Sequence, residues 1–284
     1  MARNNYLRFV DQPLVPPRNG HDFRLAHRLE RRAVKKADAV VSPSEYMLGV
    51  FEKSFDHRVP MRVARNFVDE DQLKGVQKSN LKQQLELAES DPLLYVPSGG
   101  IPMKGVRYLY EIVRTLRCTG GRSGVYVSGT VPNDVRWELE QLGPEIRCFL
   151  PGHVPYEQNL CHVAACDLTV SPTLIENLSN ALVESILLGV PVVTFDTGGN
   201  KEIVRSEETG HVVPYADIDE LTKTIRELLT QGTRLERLQQ ACREHGPSVV
   251  DLEQIDDVYE TLFSQLLSNG MTISGPAIQA ASKV

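Results

Sequence analysis

The chain has 284 residues, which suits one complete domain with part of a second rather than two large domains. With 41% hydrophobic and 24% charged residues it has the composition of a folded soluble chain and not of a disordered one. Its net charge of −6 is the wrong sign for coating a nucleic-acid backbone, and no apolar run approaches the roughly 18 residues of a membrane span.

In chain order, the first predicted element is a basic helix over about Arg24 to Lys36. A β-prone run, Ala39-Val40-Val41, follows and ends on the helix-starting sequence Ser42-Pro43-Ser44. Met61 to Arg65 reads as a strand running into a linker over Asn66 to Gly75, where a domain boundary is placed: 1–68 forms a partial amino-terminal domain and 69–250 a second domain. From Pro92 onward, short apolar runs alternate with amphipathic stretches: Leu93 to Val96, Val125 to Val127, Ile146 to Leu150, Leu168 to Val170, and Val190 to Thr194. That alternation predicts an α/β, Rossmann-like domain whose parallel sheet is buried on both faces. Helices are expected over Asp219 to Thr230 and over 251–268, with a mobile tail at 269–284.

Between the strand ending near Val170 and a helix starting near Ser179 or Asn180 lies a loop carrying Glu176 and Asn177. In an open α/β sheet, ligands bind beyond the carboxyl ends of the strands, and free amides at a helix start attract phosphate. Seven residues separate Glu176 from Glu184, so both carboxylates would line one crevice and accept paired hydrogen bonds from vicinal hydroxyls. The same spacing also fits a loop cap followed by a glutamate that favours the helix dipole, and spacing alone leaves the two readings open.

The whole run from Ser171 to Val204 is more specific. Ser171-Pro172, Asn180-Ala181-Leu182, Glu184, Gly189, Pro191-Val192-Val193, Gly198-Gly199 and Glu202-Ile203-Val204 occur in the order seen around the paired-glutamate signature of the large retaining glycosyltransferase family of GT-B fold, and the chain resembles that family. Lys104-Gly105-Val106, Gly152-His153-Val154 before Ala164 to Asp167, Gly210 to Pro214, Ala37 to Ser44, and the helix ending Val258 to Leu262 extend the resemblance over about Glu30 to Leu267. The resemblance implies a donor-binding domain plus a truncated second Rossmann-like domain, to which the terminal helix crosses back. It also implies transfer of a hexose from a nucleotide diphosphate sugar, with retention, to a glycan, lipid or small-molecule acceptor, without metal or cofactor. On that basis Glu176 would act at the transferred sugar, Glu184 would hold the ribose, and Lys104, Ser98 and Gly99 would lie at the diphosphate. The backbone around Gly152, His153 and Val154 would border the base, amides near Leu178, Ser179 and Asn180 would meet the phosphates, and Asn177 would belong to the same donor-binding set. Cationic side chains and helix amides would stabilise the leaving group.

Ser98-Gly99-Gly100 stands where the family often carries an Arg about five residues before the Lys, and Asn177 stands where a Gly is frequent. Roughly 100 further amino-terminal residues are expected of a complete member. A partner chain or self-association would then cover the surface left open, and the catalytic group from that side is unassigned among Asp11, His21 and Asp22. Two other readings remain: a non-catalytic nucleotide-sugar-binding subunit, and a GT-B-fold epimerase.

Cys161 and Cys166 around His162 have poor metal-ligand spacing, and Trp137 reads as a packing residue. The five scattered cysteines and the absence of a signal-like start point to a reducing cytoplasm. The basic stretch 24–36 is either a solvated face or a peripheral contact with an anionic inner-membrane surface.

Overall fold

A computed structural model describes residues 20–55, 59–66, 68–246 and 252–268. Asp11 and the tail expected at 269–284 lie outside the described residues, and so do the side chains of His21 and Asp22. The basic pattern becomes α1 (Gly20–Lys36), four residues longer at its start than the sequence suggests. It leads into β1 (Val40–Ser42), α2 (Glu45–Ser54) and β2 (Met61–Val63). The two strands pair in parallel, with Val40 opposite Met61 and Ser42 opposite Val63. Ser44 is the N-cap of α2, its Oγ accepting from the Met47 amide at 3.2 Å, which is the local reason the helix starts there. A short helix, α3 (Glu70–Lys74), forms within the stretch expected to be a linker, and α4 (Leu81–Gln84) follows it.

Each apolar run after Pro92 forms a strand: β3 (Leu93–Val96), β4 (Ser123–Ser128), β5 (Ile146–Gly152), β6 (Leu168–Ser171) and β7 (Val192–Phe195). β8 (Gly210–Val213) completes the set. The six pair in parallel in the order β5-β4-β3-β6-β7-β8. The helices between them are α5 (Leu109–Arg114), α6 (Asn133–Glu140), α7 (Tyr156–Ala164), α8 (Asn180–Leu187) and α9 (Asn200–Ile203), and α10 (Ile218–Thr230), α11 (Gly232–His245) and α12 (Leu252–Ser268) follow β8.

Side chains alternate across a strand, so β3 feeds two cores. Leu94 and Val96 pack with Ile112, Val113, Phe195 and Ile225 on one face, while Leu93 and Tyr95 pack with Leu81, Tyr126 and Val163 on the other. Beside the second face, Leu182, Ile186 and Val192 join Val68, Leu73 and Cys242. Continuous apolar strands are the sequence mark of this two-sided burial, and each fully buried Leu or Val contributes about 1.5–3 kcal/mol.

Trp137 corrects a sequence expectation: it is 63% exposed on α6 and does not pack into the core. Val135 and Leu139 take the inward face of that helix, and a residue two positions from each points about half a turn away.

The strand order reverses its direction of growth at β3, so chains leave β3 and β6 toward opposite sides and a crevice opens between the loops that follow them.

Candidate functional site

The two loops at this switch point are fastened to each other by backbone hydrogen bonds. Beyond β3, a 3₁₀ turn at Pro102–Lys104 ends on Gly105, whose φ of +85° only glycine adopts without strain. A Cβ there would stand 2.0 Å from the Pro172 carbonyl oxygen, so the absence of a side chain lets the turn lie against the loop after β6. The amides of Leu174 and Ile175 donate to the Met103 carbonyl at 2.9 and 3.2 Å. This seam sets Lys104 beside Glu176, with Nζ donating to Oε2 at 2.5 Å.

The other oxygen of Glu176 accepts from the Asn177 amide at 3.1 Å. α8 begins three residues further on, and Ser179 at its N-cap makes no capping bond through its side chain. The amides of Leu178, Ser179, Asn180 and Ala181 find no acceptor among the described residues, which leaves the positive end of the helix open to an anion. Asn66, from the linker, donates to the Leu178 carbonyl at 3.2 Å and to Asn180 Oδ1 at 2.9 Å, holding this helix start in place.

A cavity of about 270 Å³ lies here, lined by Ser98, Lys104, Glu176, Leu178, Ser179 and Asn180 among others. A second cavity, of about 650 Å³, shares Pro97, Ser98 and Ala181 with the first and runs on to His153, Val154, Tyr156 and Glu184. Ser98 sits between them with a φ of +54°, fixed by its amide donating to Ser128 Oγ at 3.2 Å. That hydroxyl is also 3.0 Å from Tyr95 Oη.

Glu184 lies on α8, one turn in. Burial pushes its carboxyl up to about 7, an effect only partly offset by the Tyr156 hydroxyl, which donates to Oε1 at 3.1 Å. Burial and the neighbouring carboxylate together push the Tyr156 phenol up to about 12. The far end of the crevice therefore holds a half-buried carboxyl group with spare acceptor capacity.

Most residues singled out from sequence thus come together around one crevice, but three line neither cavity. Gly99 packs against Val127, Gly152 closes a bridge to Gly129, and the side chain of Asn177 turns away to Ser44. Sequence reasoning passed over Asn66, Tyr95, Ser128 and Tyr156. Tyr156 had a signal, since it opens α7 two residues beyond the Gly152-His153-Val154 stretch. His162, set aside as a metal ligand, contacts Ser79 Oγ at 2.9 Å through Nδ1 and packs edge-on against Tyr126 and Phe149. Among the described residues no three His, Cys, Asp or Glu side chains group as metal ligands.

An open parallel α/β sheet with a polar crevice at its switch point defines an α/β protein of the ligand-binding class, the crevice holding the Lys104–Glu176 ion pair and the open start of α8 in one part and Glu184 in the other. Residues 77–245 match the family described as Glycosyl transferases group 1, and the chain belongs to that family. It is 27% identical over 165 residues to MMP alpha-(1->4)-mannosyltransferase of Mycolicibacterium hassiacum, covering 57% of this chain and 40% of that protein. It is 24% identical over 236 residues to the GDP-mannose-dependent alpha-(1-6)-phosphatidylinositol monomannoside mannosyltransferase of Mycolicibacterium smegmatis, covering 78% and 62%. The matches thus span about two fifths to three fifths of these relatives' length. Among solved structures, sucrose-phosphate synthase from Thermosynechococcus elongatus superposes with a TM-score of 0.75 at 18% identity, over 94% of this chain and 66% of that one. Anabaena Alr3699/HepE in complex with UDP and glucose gives 0.70 at 21%, over 87% and 68%. The fold is α/β of GT-B type.

Proposed function

We propose that the crevice is the donor site of a glycosyltransferase that moves a hexose from a nucleotide diphosphate sugar to an acceptor with retention of configuration. The observation that carries this reading is the pairing of Lys104 with Glu176 beside the open start of α8, in a crevice that continues to Glu184. Glu184 accepts from the ribose hydroxyls, His153 and Val154 border the base with the Gly152 backbone behind them, and Lys104 with the amides of 178–181 meets the diphosphate. Glu176 contacts the sugar. As the acceptor hydroxyl oxygen bonds to the anomeric carbon, the bond from that carbon to the diphosphate breaks, the diphosphate leaves with the electron pair and takes up the hydroxyl proton on a phosphate oxygen, and the cation and helix amides stabilise its remaining charge. The scheme uses no metal or cofactor. Relatives named for GDP-mannose and a neighbour solved with UDP and glucose support a nucleotide sugar as the ligand class. The donor-binding unit is taken as 69–250, with 1–68 and helix 251–268 forming the acceptor side.

One observation favours a second reading, a binding subunit without turnover of its own. Lys104 is the one Lys or Arg among the described residues lining the two cavities, which is sparse charge for a leaving diphosphate.

Calorimetry with UDP, GDP, ADP and their sugar conjugates tests the donor reading. Glu184→Ala should weaken free nucleotide and nucleotide sugar alike, by about 1.5–3 kcal/mol, or roughly 10- to 150-fold. Glu176→Ala should spare free nucleotide and remove the increment added by the sugar. Lys104→Ala should weaken diphosphates more than nucleosides. A flat response of the parent chain to every nucleotide would sink the donor reading. Binding without transfer or donor hydrolysis selects the second reading, and conversion of the donor's sugar without acceptor selects an epimerase.

A further inference from the structure

Asn177 and Ser44 are 133 positions apart in sequence and meet beside the sugar end of the crevice, where the donor reading needs no contact between them. The Ser44 hydroxyl donates to Asn177 Oδ1 at 2.8 Å while accepting from the Met47 amide. It is fully buried, and Ser42 Oγ, accepting from the Ser44 amide at 3.3 Å, further fixes the turn. The backbone of Asn177 is held just as firmly, its carbonyl accepting from the Gly199 amide at 2.7 Å and its amide donating to Glu176.

Gly198 and Gly199 let these segments approach. A Cβ on Gly198, whose φ is +58°, would stand 2.3 Å from the Glu176 carbonyl oxygen, and one on Gly199 would stand 2.7 Å from Ser44 Cβ. A second tie lies alongside: Glu202 accepts from the amides of Glu45 and Tyr46 at 3.1 and 2.9 Å, satisfying two of the unpaired N–H groups in the first turn of α2 from another part of the chain. Three segments are thereby joined through polar contacts: the β1–α2 junction, the loop carrying Glu176, and the start of α9. A glycine at position 177 could make the backbone bonds but not the one to Ser44.

We propose that Ser44 and Asn177 form a positioning pair that holds the Glu176 carboxylate against Lys104 and ties the loop carrying it to α2. Neither residue lines either cavity. Their bond removes the freedom of residue 177 to rotate, and with it the freedom of Glu176, whose two carboxylate oxygens are engaged by Lys104 and by the Asn177 amide. Cutting the bond leaves the Glu184 end of the crevice untouched and loosens the sugar end alone. The inference rests on the donor reading in one respect, that Glu176 meets the sugar.

The experiment combines Asn177→Ala, Ser44→Ala and the double variant in the full chain. Two readouts are taken: the ratio of affinities for nucleotide sugar over free nucleotide, and amide hydrogen exchange of peptides covering 172–182. Asn177→Ala keeps the N-cap of α2 and so remains informative should Ser44→Ala fold poorly. Each single variant should lose roughly five- to tenfold of the sugar increment while free nucleotide binds as before. The double variant should lose no more than either single one, and the 172–182 peptides should exchange faster in all three. Equal weakening of both ligands would mean general disruption and overturn the positioning role. Additive losses, or an unchanged increment with unchanged exchange, would overturn it as well. If the parent chain binds no nucleotide, the donor reading fails by itself and the pair stands or falls on exchange in 172–182.

Discussion

At the residue scale Glu184 presents a balance of opposed effects. Burial holds its carboxyl up near 7, whereas hydroxyl donors favour the ionised form, so a ribose bound there would draw the proton off. Folded and unfolded states then differ with a definite sign. Because the folded value lies above the ordinary one, both states are protonated below about 4.5, and stability falls as pH rises from there to about 7 and is level above. Nucleotide affinity should move the opposite way, strengthening as pH rises toward 7 and flattening beyond it, by up to about tenfold per pH unit below 7. Calorimetry of free nucleotide between pH 5.5 and about 8.5 reads this directly. Glu184→Gln should remove the slope, and a slope that survives in that variant would assign the proton to another group.

At the scale of elements, the critical joint is the seam between the 3₁₀ turn at Lys104 and the loop after β6. Gly105→Ala would bring a methyl group to 2.0 Å from the Pro172 carbonyl oxygen at a φ of +85°. The expected cost is about 1–3 kcal/mol of stability from strain. Diphosphate affinity should fall with it, since Lys104 moves with the turn, while nucleoside affinity holds. Thermal unfolding and calorimetry measure the two effects separately, and equal loss for nucleoside and diphosphate would deny that the seam positions Lys104.

This seam also marks how far the sequence could be read. The strands were legible because two-sided burial writes continuous apolar runs, as in Leu93 to Val96. Glu176 and Lys104 stand in the loops after β6 and β3, and they were singled out with Glu184 through the family resemblance, since spacing alone left the glutamate pair open. α11 was not: its buried Leu235, Leu238 and Cys242 keep helical spacing but are diluted by Arg234, Glu236, Arg237, Arg243 and Glu244. β8, four residues long, was quoted as a motif without being read as a strand. The contact between the Asn177 side chain and Ser44 was not legible, since sequence proximity to Glu176 gives no information on which way a loop side chain turns.

At the scale of the whole molecule, charge is segregated. The chain carries −6 overall, yet Arg28, Arg31, Arg32, Lys35 and Lys36 stand against Glu30 alone in the last nine residues of α1. Spacings of three, four, seven and eight from Arg28 put the five cations on one stripe of the helix, and all five are exposed. Leu29, 54% exposed, flanks that stripe. No described helix is long and apolar enough to cross a membrane, so contact with a bilayer through this helix would be made from its surface. Each cation near an anionic leaflet contributes about 1 kcal/mol, screened within a Debye length of roughly 8 Å at physiological salt. Five such cations should carry the chain to vesicles rich in phosphatidylglycerol but not to neutral phosphatidylcholine vesicles, with binding lost in high salt. Changing Arg28, Arg31 and Arg32 together to Glu should abolish flotation with the anionic vesicles while leaving nucleotide affinity unchanged, because none of the three lines the crevice. Equal recovery of parent and variant with anionic vesicles would make the stripe a solvated face, and binding to neutral vesicles as strong as to anionic ones would place the contact elsewhere on the molecule.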